Sequence, residues 1–176
     1  YSYERVMPGV KYYDSIVNIN RCYSGVNLES KNRCEKFLKS FINVKKYPLF
    51  RLENLKDCET SKILENSYRA VNIAFIDEWT KYTNKIGVNL NRVIDGIKFR
   101  ETHKNIMRPG LGVGGYCLTK DPAFGIAAAK QIFSNEELRF PFSELTLKVN
   151  QEMPFHAVNR LTASLEGRLT GRRILI

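Results

Sequence analysis

The chain has 176 residues, with 43% hydrophobic and 11% aromatic content, a formal charge of +10 and four cysteines. That size and apolar content imply a globular chain with one good core or a little more, and argue against disorder. No apolar run approaches bilayer length and the first residues lack a basic-then-apolar leader pattern, so the expectation is a soluble, cytoplasmic protein with no membrane partner.

The positive charge is scattered, without an aromatic-interleaved block or a recognisable nucleic-acid motif, so no nucleic-acid partner is expected. A positive field suits a diphosphate ligand equally well. Cys22, Cys34, Cys58 and Cys117 form no C-x-x-C pair and have no partner histidines at zinc spacing, so no metal is expected and reduced thiols are favoured over disulfides.

Tyr1–Gly9 has neither a starting methionine nor a cap, and Gly171–Ile176 reads as a turn followed by a strand just beginning. Both ends read as cut from something larger. Residues 21–26 suit a short strand, and Asn27 or Ser30 can cap a helix with Cys34, Phe37, Leu38, Phe41 and Ile42 on one face. Residues 47–52 resemble an edge strand, which completes a strand–helix–strand grammar.

From Cys58 to about Ile86 nothing breaks a helix, and Leu64, Tyr68, Val71, Phe75, Trp79, Tyr82 and Ile86 recur at steps of three and four. Such a stripe serves burial within the chain or packing against a second copy, and the periodicity leaves both open. Gly87 ends this helix, and Asn89 can cap a short one carrying Leu90, Val93, Ile94 and Ile97. Pro122 marks a further helix to about Phe133. Ser143 can cap another, which Pro154 kinks or restarts before it runs on to Gly167. The expected fold class is mainly α: a central helical domain with a long helix, flanked by α/β remnants.

Gly110 to Gly115 spell G-x-G-x-x-G, but the polar, basic, proline-ended segment 101–109 is no buried strand, so the dinucleotide-binding reading fails here. What remains is a side-chain-free loop that ends on Cys117, with Lys120 and a helix start close by. Those features favour a reactive thiol. If the helix starts at Cys117, that residue and Asp121 share a face, as do Lys62 and Asn66 in the long helix. Glu4 suits either a site carboxylate or an ion-pair partner of Arg5. Arg100 and Arg108 flank the glycine loop as phosphate clamps, and His103 lies in a polar loop within reach of a ligand. Neither His103 nor His156 belongs to a hydrolase triad.

Three segments together carry a family resemblance. Gly110–Pro122 resembles the catalytic-cysteine motif of the UDP-glucose/GDP-mannose dehydrogenase family, and Glu59–Ala70 resembles its lysine–asparagine helix. Glu4–Gly9 resembles the segment that closes its NAD domain, in the form of the N-acetylhexosamine branch. The resemblance implies oxidation of a UDP-sugar C6 hydroxyl to a carboxylate with two NAD, through an aldehyde.

It also implies a homodimer through the long helix. Residues 1–57 would be the end of the NAD-binding domain, 58–166 the central domain and 167–176 the start of a UDP-binding domain. NAD would be held by a domain mostly outside this chain, and the chain alone would be inactive. An alternative is a helical dimerisation module without activity of its own.

By matching position, Cys117 would form a thiohemiacetal and then a thioester. Lys62 and Asn66 would face the reacting oxygen, Asp121 would orient water or relay protons, and Glu4 would assist proton handling. Gly110, Gly114 and Gly115, with Arg100, His103 and Arg108, would contact substrate. Pro8 stands where some branches carry a second glutamate, so chemistry resting on that residue does not transfer.

Overall fold

The computed structural model describes residues 1–134 and 137–175, which form two compact units, Tyr1–Leu64 and Glu65–Ile176. In the first, helix α1 (Tyr12–Val17) precedes strand β1 (Arg21–Tyr23), helix α2 (Leu28–Lys39) and strand β2 (Leu49–Arg51). The strands pair in parallel, with Arg21 opposite Leu49 and Tyr23 opposite Arg51. Parallel pairing requires a crossover, and α2 supplies it. Asn27 caps α2 through a reciprocal pair with Ser30, its side chain accepting from the Ser30 N–H at 2.8 Å. Leu38 and Ile42, on the expected apolar face, pack on Tyr23, whereas Phe37 of the same face stays 67% exposed. Helix α1 had no expectation, because its six residues contain too little periodicity to register.

Helix α3 (Leu55–Lys85) begins where Asn54 and Asp57 exchange side-chain-to-backbone hydrogen bonds of 2.9 and 3.1 Å. It runs for 31 residues, about 46 Å at the α-helical rise. Beyond it Gly87 takes the positive φ of +69° that L-residues avoid, and Asn89 caps helix α4 (Leu90–Ile97).

The aromatic stripe of α3 stays outside: Tyr68, Phe75, Trp79 and Tyr82 are each about half exposed, and the last three stack edge to face. Inward, α3 buries Ala70, Ala74 and Ile76. Ile76 joins Leu90 and Ile94 in a core closed by Ile106 and Met107.

Helix α5 (Asp121–Gln131) packs against helix α6 (Pro141–Ser164). The approach is close at Gly125, where an added Cβ would stand 2.8 Å from the Phe140 ring. Asn150 ties α6 to α3 by donating to the Ala70 carbonyl at 3.2 Å.

Four details differ from the sequence reading. Phe140, not Ser143, occupies the cap of α6, because Pro141 is already suited to the first turn. Pro154 lies inside an unbroken α6, which ends at Ser164, short of Gly167. Helix α5 ends at Gln131, not Phe133. Gly171 forms the expected turn with φ +76°, but residues 172–175 are irregular, and Ile176 lies outside the described residues. A lone strand has no neighbour with which to pair its backbone.

Candidate active site

The second unit gathers Cys117, Asp121 and Asn66. Residues 104–109, ahead of the glycine run, are a turn and irregular chain, not a strand. Gly115 adopts φ +80°, which favours glycine, and the space around Gly110, Gly114 and Gly115 is open to 4 Å from an added Cβ. At those three positions the loop presents bare backbone, while Leu111 and Tyr116 between and after them are exposed side chains. Thr119 closes its far end by donating its hydroxyl to the Gly115 carbonyl at 2.8 Å.

Cys117 is a free, exposed thiol in the turn that leads into α5. It precedes the helix, so the condition for sharing a helical face with Asp121, a helix starting at Cys117, is not met. Its backbone makes the link instead, the Cys117 carbonyl accepting from the Asp121 N–H at 2.9 Å.

Asp121 opens α5 and is buried, at 4% exposure. A buried carboxylate is costly unless its oxygens are bonded. Asn66 Nδ2 donates to Oδ2, and Lys120 Nζ reaches Oδ1, each at 2.6 Å. The carboxylate also sits at a helix amino end, where the backbone dipole favours negative charge. Asn66 is itself buried and faces the interior of the unit. Lys120, expected to support the thiol, places its ammonium on Asp121 and over the Phe124 ring, 4.7 Å from the centroid.

The first unit brings Glu4 and Lys62 together through backbone. Lys62 Nζ donates to the Glu4 carbonyl at 2.8 Å and lies 5.8 Å from the centre of the Tyr3 ring. The Glu4 carboxylate turns back to accept from the Val6 N–H and does not meet the lysine. Tyr3 is buried and had no role in the sequence reading. A single aromatic in a segment without periodicity gave no signal for it. Lys62 and Asn66 are four residues apart on α3, in the first and second units respectively.

Two of the three outlying candidates are engaged elsewhere. Arg108 pairs with Asp95 and donates to Asn91 Oδ1 at 3.3 Å. His103 Nδ1 lies 2.8 Å from the Thr102 hydroxyl, and Arg100 is exposed beyond α4. Among the described residues no cluster of three or more metal-ligating side chains occurs.

The exposed thiol, the buried amide–carboxylate pair and the glycine-rich loop all lie within the part of the chain that matches a known family. Residues 56–152 match the central domain of the UDP-glucose/GDP-mannose dehydrogenase family, and the chain belongs to that family.

UDP-N-acetyl-D-mannosamine dehydrogenase of Methanococcus vannielii is 35% identical over 93% of this chain, which spans 35% of that relative's length. The solved UDP-N-acetylmannosamine dehydrogenase of Pyrococcus horikoshii superposes with a TM-score of 0.74 at 34% identity, covering 94% of this chain and 36% of that one. The Staphylococcus aureus UDP-N-acetyl-mannosamine dehydrogenase gives 0.71 at 30% identity, over 98% of this chain and 37% of its own.

The family uses NAD. The described residues do not fit a dinucleotide: the 110–115 glycines follow no strand, and the turn after β1 carries only Gly25. No helix among the described residues is long and apolar enough to cross a membrane.

Proposed function

We propose that this chain supplies the catalytic thiol and its supporting groups to an NAD-dependent dehydrogenase that oxidises C6 of a UDP-N-acetylhexosamine to the carboxylate. The observation that carries this reading is an exposed Cys117 set directly before the buried Asn66–Asp121 pair, at the end of a glycine-rich loop. The names of the relatives support an N-acetylated UDP-sugar as substrate.

The thiol adds to the aldehyde carbon, forming a C–S bond while the carbonyl oxygen gains a proton. Loss of the hydroxyl proton and of a hydride from that adduct, with NAD as the acceptor supplied by the rest of the enzyme, would leave a thioester at the same sulfur. Water then opens it, releasing the carboxylate and returning the thiol. The oxidising cofactor belongs to another part of the enzyme, so residues 1–57 read as the end of that domain and 167–176 as the start of a UDP-binding one. The central domain then occupies 58–166.

Asn66 and Asp121 hold one another in place beside the loop and offer an amide donor and a proton acceptor. Lys62, anchored on the Glu4 carbonyl and the Tyr3 ring, supplies positive charge where an alkoxide develops. The open glycines give clearance for the sugar. Arg100, His103 and Arg108 serve the nucleotide end, Arg108 after leaving Asp95.

The exposed α3 stripe supports a homodimer, since half-exposed Tyr68, Phe75, Trp79 and Tyr82 make a contiguous apolar face. Assay of the full-length enzyme against a panel of UDP-sugars tests the function. A UDP-N-acetylhexosamine should yield two NADH per sugar, and a preference for UDP-glucose would refute the substrate class.

A further inference from the structure

Cys117 lies midway along a short turn, Gly115–Thr119, whose backbone is tied on both sides of the thiol. After it, the Cys117 carbonyl accepts from the N–H groups of Lys120 and Asp121 at 3.2 and 2.9 Å, which fixes it to the start of α5. Ahead of it, four of the six residues from Gly110 to Gly115 are glycine. Those positions bring no side chains to anchor the loop and have wide backbone freedom. The tie on that side comes from Thr119, whose hydroxyl donates to the Gly115 carbonyl at 2.8 Å.

A threonine close to a helix start ordinarily serves the helix, its oxygen accepting from the first free N–H groups. Here Lys120 is the cap of α5 and makes no side-chain cap bond, while the Thr119 hydroxyl turns back to the loop. The carbonyl it holds belongs to a glycine at φ +80°. Rotation of that peptide plane swings Tyr116 and Cys117 with it, and the hydrogen bond opposes the rotation. The bond goes to backbone and not to the thiol, so Thr119 acts on Cys117 through the chain.

We propose that Thr119 is a positioning residue for Cys117, its hydroxyl holding the Gly115 carbonyl so that the thiol keeps the orientation in which it meets the aldehyde carbon. The proposal rests on the reading of Cys117 as the nucleophile. A reacting group displaced by about 1 Å loses about 10²-fold in rate, whereas one neutral hydrogen bond is worth a factor of about ten at most. The smaller factor sets the scale for Thr119, because its side chain faces water.

Single-turnover NADH formation by the full-length enzyme, from a UDP-N-acetylhexosamine 6-aldehyde with NAD, reads the half-reaction that needs the thiol. Thr119→Val keeps the side-chain shape but lacks the donor, and should slow this step by about three- to tenfold at saturating aldehyde. Thr119→Ala should behave alike, and Thr119→Ser, which keeps the hydroxyl, should restore the rate. Oxidation of the alcohol to the aldehyde precedes attack by the thiol and should be little changed. Melting midpoints should match the wild type, since the Thr119 side chain is exposed.

Cys117→Ser separates the two readings. If that variant still oxidises the aldehyde, the nucleophile reading fails and the positioning role fails with it. If it is inert while Thr119→Val keeps the wild-type rate, only the positioning role fails. Equal slowing of both oxidations, no rescue by Thr119→Ser, or a lowered melting midpoint in Thr119→Val would also overturn the proposal, each pointing to a general structural role.

Discussion

Asn66 Nδ2 donates to Asp121 Oδ2 at 2.6 Å, and both side chains are more than nine-tenths buried. Fifty-five residues separate them in the chain, so this single bond fixes the start of α5 against the long helix. It also sets the turn that presents Cys117.

Removing the donor should therefore be expensive. Asn66→Ala leaves a buried carboxylate oxygen without its partner, and we expect a loss of about 1–3 kcal/mol in denaturant unfolding. Asn66→Asp should be worse near neutral pH, because two carboxylates would face one another. That pair raises a folded-state pKa above its unfolded value, so the variant should regain stability as pH falls. If Asn66→Ala unfolds like the wild type, the bond has no structural role.

A second expectation concerns Glu35. Hydrogen bonds from Lys39, Tyr23 and Arg51 hold its carboxyl down at about 2, from an ordinary 4.5. A depressed carboxylate contributes stability that is complete above its unfolded pKa and lost as pH falls through the folded one. Acid titration of the first unit's tertiary signal should thus show a loss between about pH 4.5 and 2, and Glu35→Gln should flatten it. An unchanged profile in that variant would remove Glu35 as the cause.

The α3 stripe predicts the assembly. Trp79→Glu combined with Tyr82→Glu should convert a dimer to a monomer in sedimentation velocity while leaving helix content intact, since both side chains are about half exposed in the single chain. A dimer that survives both charges would place the interface elsewhere.

Much of this was legible because it depends on local rules. Gly87, Asn89 and Pro122 punctuate the chain through their backbone preferences, and α3, α4 and α5 begin or end beside them. The residue types at the thiol loop carry their chemistry openly. The tertiary partners were not legible. Nothing in the sequence pairs Asn66 with Asp121, or turns Lys62 onto the carbonyl of Glu4 rather than its carboxylate.

Periodicity also marked the α3 stripe as apolar without saying what covers it, and among the described residues nothing covers most of it. Ser143 misled because a capping side chain competes with a proline two residues earlier, and the proline's fixed φ won.

Lys62 should act on the transition state. Lys62→Ala in the full-length enzyme is expected to lower kcat by roughly 10²-fold or more, the usual scale for losing a preorganised electrostatic contact, with KM little changed. A loss confined to KM would make Lys62 a substrate-binding residue.

The central claim is that Cys117 is the nucleophile, and product analysis of the full-length Cys117→Ser enzyme tests it most directly. With UDP-N-acetylmannosamine and excess NAD, the account predicts a folded protein that forms no uronate and stalls at or before the aldehyde level. Full conversion to the uronate by that variant would contradict it.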